Sequence, residues 1–83
     1  MYSVYCNDDC LYSSFKKEDT AIKAALDFIE TSKSEYIATG NDNGNLWWLI
    51  RFTDDLGFTF YEVISVVNNP KNLKKVLDKI KKV

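Results

Sequence analysis

The chain has no histidine, two cysteines, one proline and three glycines among its 83 residues. Each shortage excludes something. Without histidine there is no Cys–His zinc site, no Ser–His or Cys–His nucleophile pair and no imidazole general base. Cys6 and Cys10 are too few for a disulfide framework. No apolar run approaches the ~20 residues a membrane span requires. Met1-Tyr2-Ser3-Val4 lacks the basic flank and apolar stretch of a secretory signal. The expectation is a soluble cytoplasmic protein, not an enzyme, with no cofactor or metal and no membrane partner.

What is present points to one compact domain over residues 1–83. The chain is 46% hydrophobic and 28% charged, an ordinary globular balance. A chain this short buries only about 60–65% of its unfolded surface, so its core must be rich in large side chains. Twelve aromatic residues meet that need. The net charge of −1 conceals an asymmetry. Residues 1–70 hold eleven acidic and five basic side chains, whereas residues 71–83 hold six lysines against Asp78.

Read in order, Tyr2–Cys6 is a strand, Asn7-Asp8-Asp9 a turn and Cys10–Ser14 the returning strand. A three-residue loop would set Cys6 opposite Cys10, within reach of a disulfide. In a reducing cytosol the expectation is a pair of free thiols. Lys17–Thr31 is a helix whose Ile22, Ala25, Leu26 and Ile29 follow i, i+3, i+4, i+7 spacing. Glu18 and Asp19 suit its positive N-terminal end. Glu35–Gly40 is a strand, and Asn43-Gly44 after it is a strong hairpin signal because both residues tolerate positive φ. Asn41-Asp42-Asn43-Gly44 lacks the ligand spacing and closing glutamate of a calcium loop. Asn69 caps the last helix and Pro70 opens it, with Leu73, Val76, Leu77 and Ile80 as its apolar stripe.

The centre of the chain is a hairpin, Leu46–Thr53 and Phe58–Ser65, turning through Asp54-Asp55-Leu56-Gly57. It carries Trp47, Trp48, Phe52, Phe58, Phe60 and Tyr61. The order ββ-α-βββ-α predicts an α+β fold, a small antiparallel sheet with two helices packed on one face. Pairing Phe52 with Phe58 sets Ile50 opposite Phe60, Trp48 opposite Glu62 and Leu46 opposite Ile64. Those residues and Ile37 then form the core face. The other face carries Tyr36, Ala38, Trp47, Leu49, Arg51, Thr59, Tyr61 and Val63, and is expected to be open. Trp, Tyr and Arg on an open face make the composition of an interface hot spot. Glu62 is the exception on the core face, explained by a sheet margin beside a C-terminal lysine or by a bulge after Tyr61. An acid/base role for it needs a partner group that the sequence does not show.

The reading that fits is a non-enzymatic protein-binding module, an inhibitor or regulator of a partner protein. Tyr36, Trp47, Arg51, Tyr61, Asp54 and Asp55 are its candidate partner-binding residues. In size, Lys- and Asn-rich bias and compact α+β layout the chain resembles small phage-encoded anti-defence proteins of the anti-CRISPR type. That resemblance implies binding to a nuclease, with acidic groups competing for basic residues; a toxin-immunity protein is the neighbouring form. A second reading is nucleic-acid binding through Lys71, Lys74, Lys75, Lys79 and Lys82. Residues 17–82 resemble the α-βββ-α order of double-stranded-RNA-binding domains. Those domains use a histidine loop and a Gly-rich lead into the final helix, where this chain has Asn68-Asn69-Pro70. An acidic first helix would also repel phosphates. The open face is equally suited to a homodimer interface.

Overall fold

The computed structural model describes residues 1–42 and 44–81. Five strands and two helices follow one another as β1 (Tyr2–Cys6), β2 (Asp9–Phe15), α1 (Glu18–Thr31), β3 (Glu35–Asp42), β4 (Asn45–Thr53), β5 (Thr59–Val67) and α2 (Leu73–Lys81). A 3-10 turn at Pro70–Asn72 leads into α2. All the strands join one antiparallel sheet in the order β2-β1-β5-β4-β3. The fold is α+β.

β5 is the central strand, hydrogen-bonded to β1 on one side and β4 on the other. Its Val63–Val67 stretch is buried at every position. Alternation along a strand sends Ile64 and Val66 to one face and Val63, Ser65 and Val67 to the other. Such a run needs cover on both sides.

The helices provide that cover from opposite faces, which corrects the expectation of both on one. Ala21, Ala25 and Ile29 of α1 pack with Val4, Trp48, Ile50, Ile64 and Val66 on what we call the first face. Two alanines facing the sheet let the helix approach closely, and full burial of Ile29 is worth about 1.5–3 kcal/mol. Val76 and Ile80 of α2 pack with Val63, supported by Leu77, Trp47 and Leu49, on the second face. The Ser65 hydroxyl is fully buried on that side and finds no hydrogen-bond partner among the described residues.

The β4–β5 register is offset by two residues from the one expected. Phe52 pairs with Phe60, Ile50 with Glu62, Trp48 with Ile64 and Leu46 with Val66, with no bulge. The turn sets this offset. Asp54 N–H donates to the Phe58 carbonyl (2.9 Å), and Gly57, at φ +87, donates to the Asp54 carbonyl (3.0 Å). The loop therefore closes at Asp54 and Phe58, with glycine supplying the left-handed residue of a three-residue hairpin connection. An even offset keeps each side chain on its expected face while changing its partner.

The edges differ. β2 slips against β1 twice, and its Ser14 is left-handed at φ +68. β3 has one irregularity, between Tyr36 and Ala38, and then pairs regularly with β4 through Asp42. That irregularity turns Tyr36 onto the first face opposite Ile50, whereas Ala38 lies on the second face opposite Leu49. The expected placement of Tyr36 on the same face as Trp47 is thereby corrected. The β3–β4 connection holds Gly44 at φ +85, as a tight turn needs, while Asn43 lies outside the described residues.

Gly40 faces Trp47 across β3 and β4. A Cβ at position 40 would stand 2.6 Å from Trp47 Cζ2, inside van der Waals contact. Because the indole is held by the α2 cluster, Gly40→Ala should cost about 1–3 kcal/mol by overpacking. A lowered urea midpoint with changed tryptophan fluorescence checks this; an unchanged midpoint would show that the indole moves freely.

Candidate interaction surface at the hairpin end

α1 contacts β1, β5 and β2, leaving the far ends of β4 and β5 uncovered on the first face. Exposed apolar side chains gather there. Leu56 is 82% exposed and Phe58 62%, and Phe60 and Tyr36 are also exposed; Ile37, expected in the core, is exposed within the β3 irregularity. Phe52 and Phe60 stack across the strands, with centroids 5.3 Å apart and planes at 25°. The sequence placed Phe52, Phe58 and Phe60 in the core. Their face is as expected, but α1 does not reach them.

The turn that presents this patch is held by one carboxylate. Asp54 Oδ1 accepts the N–H groups of Leu56 (3.0 Å) and Phe58 (2.9 Å). An Asx-type arrangement of this kind stiffens the loop and pushes Leu56 outward. Asp54, expected to meet a partner, thus also organises the turn, while Asp55 is exposed.

The second face of the same strand ends is polar. Arg51 pairs in register with Glu35 on β3 and Tyr61 on β5, and its guanidinium forms an ion pair with Glu35. The hydrogen bond to Glu35, followed by that to Tyr61, raises the Arg51 pKa further. Tyr61 is 59% exposed. Trp47, by contrast, is half-buried against Val63 and α2, where it serves packing. The six candidate partner-binding residues therefore do not share one surface. Tyr36, Asp54 and Asp55 gather at the patch; Arg51 and Tyr61 lie behind it; Trp47 lies under α2.

Lys71 in the 3-10 turn and Lys74 and Lys75 on α2 are exposed. Asn69 Oδ1 accepts the Lys71 N–H (3.1 Å), so the asparagine caps the approach to the helix as its sequence predicts. Lys79 lies within α2, and Lys82 lies outside the described residues.

Two contacts were not legible in the sequence. Asn7, left-handed at φ +53, donates its N–H to the Val63 carbonyl (2.8 Å), and its Oδ1 accepts the Val63 N–H (3.0 Å). This extends the β1–β5 ladder by a side chain. The Cys6 thiol donates to Glu62 Oε2 at 3.2 Å on the first face. Among the described residues, the partner of Glu62 is this cysteine, and the β4–β5 pairing holds no bulge. Cys6 pairs with Asp9 and Cys10 with Tyr5, so the cysteines point to opposite faces as free thiols.

Comparison with protein-family models, curated proteins and solved structures returns no match. Among the described residues, no group of three or more Cys, Asp or Glu side chains is placed to hold a metal ion. No described helix is long and apolar enough to cross a membrane.

Burial, and then the bond to Glu62, pushes the Cys6 thiol up to about 12 from an ordinary 9.0. In the unfolded chain this thiol ionises first as pH rises. Its contribution to stability is therefore full below about pH 9 and is lost as pH climbs towards 12. Native protein at pH 8 should alkylate at exposed Cys10 and spare Cys6 until denaturant is added. Peptide mapping checks this, and equal labelling of both thiols would contradict the burial of Cys6.

Proposed function

We propose that the chain is a non-enzymatic protein-binding module that acts by covering a partner's surface, with the β4–β5 hairpin end as its contact element. One observation carries the reading: Leu56 and Phe58 are exposed on a turn stiffened by Asp54, and Phe60 and Tyr36 are exposed on the same face of the adjoining strands. A contiguous apolar patch on a small domain marks an interaction site more often than a scatter of single side chains does. Aromatic anchors on a rigid support lose little entropy on docking.

The specific form we favour is an inhibitor of a nucleic-acid-processing enzyme, of the anti-defence type that the chain resembles in size and layout. Asp54 and Asp55 set two carboxylates beside the apolar ladder. Apolar contact gives such a tip affinity, and the carboxylates compete with nucleic acid for basic residues and steer the encounter. A toxin-immunity protein would use the same logic. A second reading, nucleic-acid binding by α2, draws on the exposure of Lys71, Lys74 and Lys75 while the apolar stripe of the helix is committed to the sheet.

Leu56 and Phe58 support little of the core, so Leu56→Ala/Phe58→Ala should leave circular dichroism native and weaken partner capture by about tenfold or more. Lys74→Glu/Lys75→Glu should leave capture unchanged. A partner held equally by the wild type and the Leu56/Phe58 variant would sink the reading. Gel shifts that appear at low salt and vanish in the lysine variant would favour α2 instead.

A further inference from the structure

The second face also ends in a recess of about 480 Å3, whose lining joins Phe52, between Arg51 and Thr53 on β4, to the polar residues Lys33, Glu35, Arg51, Thr53, Thr59 and Tyr61. Its floor follows from register. Glu35, Arg51 and Tyr61 form one row across three strands, and Thr53 and Thr59 form the next. In an antiparallel sheet paired residues share a face, so all five side chains belong to the side that α2 covers further along. Lys33 comes from the turn between α1 and β3 and completes the wall.

The chemistry of this recess is unlike the rest of the sheet. Residues 1–70 carry eleven acidic side chains and only five basic ones, yet two of those five, Lys33 and Arg51, meet here. Two hydroxyls, a phenol, an ammonium and a guanidinium all offer donors, and the Thr53 and Thr59 hydroxyl oxygens stand 3.4 Å apart. Glu35 is the one anionic lining residue, exposed and bonded to Arg51. Lys33 holds a left-handed backbone at φ +56 just past the end of α1, a position that glycine or asparagine would take more readily.

We propose that this recess binds a phosphate-type oxyanion. The planar Arg51 fork suits two oxygens of a tetrahedral anion, and Lys33 adds a second positive charge. Thr53, Thr59 and Tyr61 donate hydrogen bonds to the remaining oxygens. Glu35 is the resident counter-ion, satisfying Arg51 when the recess is empty and swinging into solvent when the anion arrives. The site lies behind the aromatic patch and is independent of the protein-binding reading.

The test is a titration of the isotope-labelled full chain with inorganic phosphate at constant ionic strength, following the amides of Arg51, Thr59 and Tyr61 by NMR. Acetate and chloride are the competing anions. The expected result is saturable shifts confined to the recess with phosphate and no saturation with chloride. Arg51→Gln should weaken binding by about tenfold or more, the worth of a charge-assisted contact. Glu35→Gln should strengthen it, because Arg51 is then released from its counter-ion. Lys33→Gly should weaken phosphate binding without lowering the melting temperature, since glycine relieves the left-handed backbone. If Arg51→Gln unfolds, the Glu35 and Lys33 variants still decide the matter with opposite signs. Linear shifts, shifts equal with chloride, or a Glu35→Gln variant that binds no better would overturn the proposal. Saturation by acetate as tight as by phosphate would also overturn it, marking a carboxylate-reading site instead.

Discussion

The structure depends on the burial of β5 from both sides. Val63, Ile64, Val66 and Val67 leave neither face of that strand free for water. Two neighbouring strands satisfy its backbone, and one helix lies over each face. A sheet whose middle strand is apolar at both parities cannot place its two helices together, because one half of the run would stay wet. The N-terminal hairpin is drawn in for the same reason: β1 fills the side of β5 that β4 does not.

Two short helices divided between two faces cannot cover a five-stranded sheet. The β4–β5 end is what they leave, and it presents a different chemistry on each side. Parity accounts for this. Phe52 and Phe60 alternate with Arg51, Thr53, Thr59 and Tyr61, so the apolar ladder and the cationic recess share one pair of strands back to back. An apolar ladder and an open, donor-rich hollow are thus produced by the same nine-residue strands.

Much of this layout was legible in the sequence. The strands and helices and the two tight turns follow from local chemistry; most bounds move by only a residue or two, while the last helix, expected to open at Pro70, begins at Leu73 after a 3-10 turn that Asn69 caps. The division of the hairpin into two faces also survives, because the register error was even and an even slip preserves parity. Three features were not legible, each for a tertiary reason. Phe58 and Phe60 carry the composition of core but lie beyond the reach of α1. Tyr36 changes face through a slip that no residue type announces. Glu62 is matched by Cys6, from a strand far away in the chain that pairs only after β1 docks. One signal was available and is instructive: Val63-Ile64-Ser65-Val66-Val67 does not alternate, and a run without alternation marks a strand covered from both sides.

The two borders of the sheet have different capacities for growth. β2, slipped twice and bent at Ser14, offers a broken row of backbone groups that an incoming strand would match poorly. β3 offers an even row from Ala38 to Asp42. Sheets of this kind that met border to border would join through β3 and leave a blunted β2 at each outer rim. Lateral pairing of that kind would stop at two sheets, so the uneven β2 border acts against open-ended stacking of a chain rich in β-branched and aromatic residues.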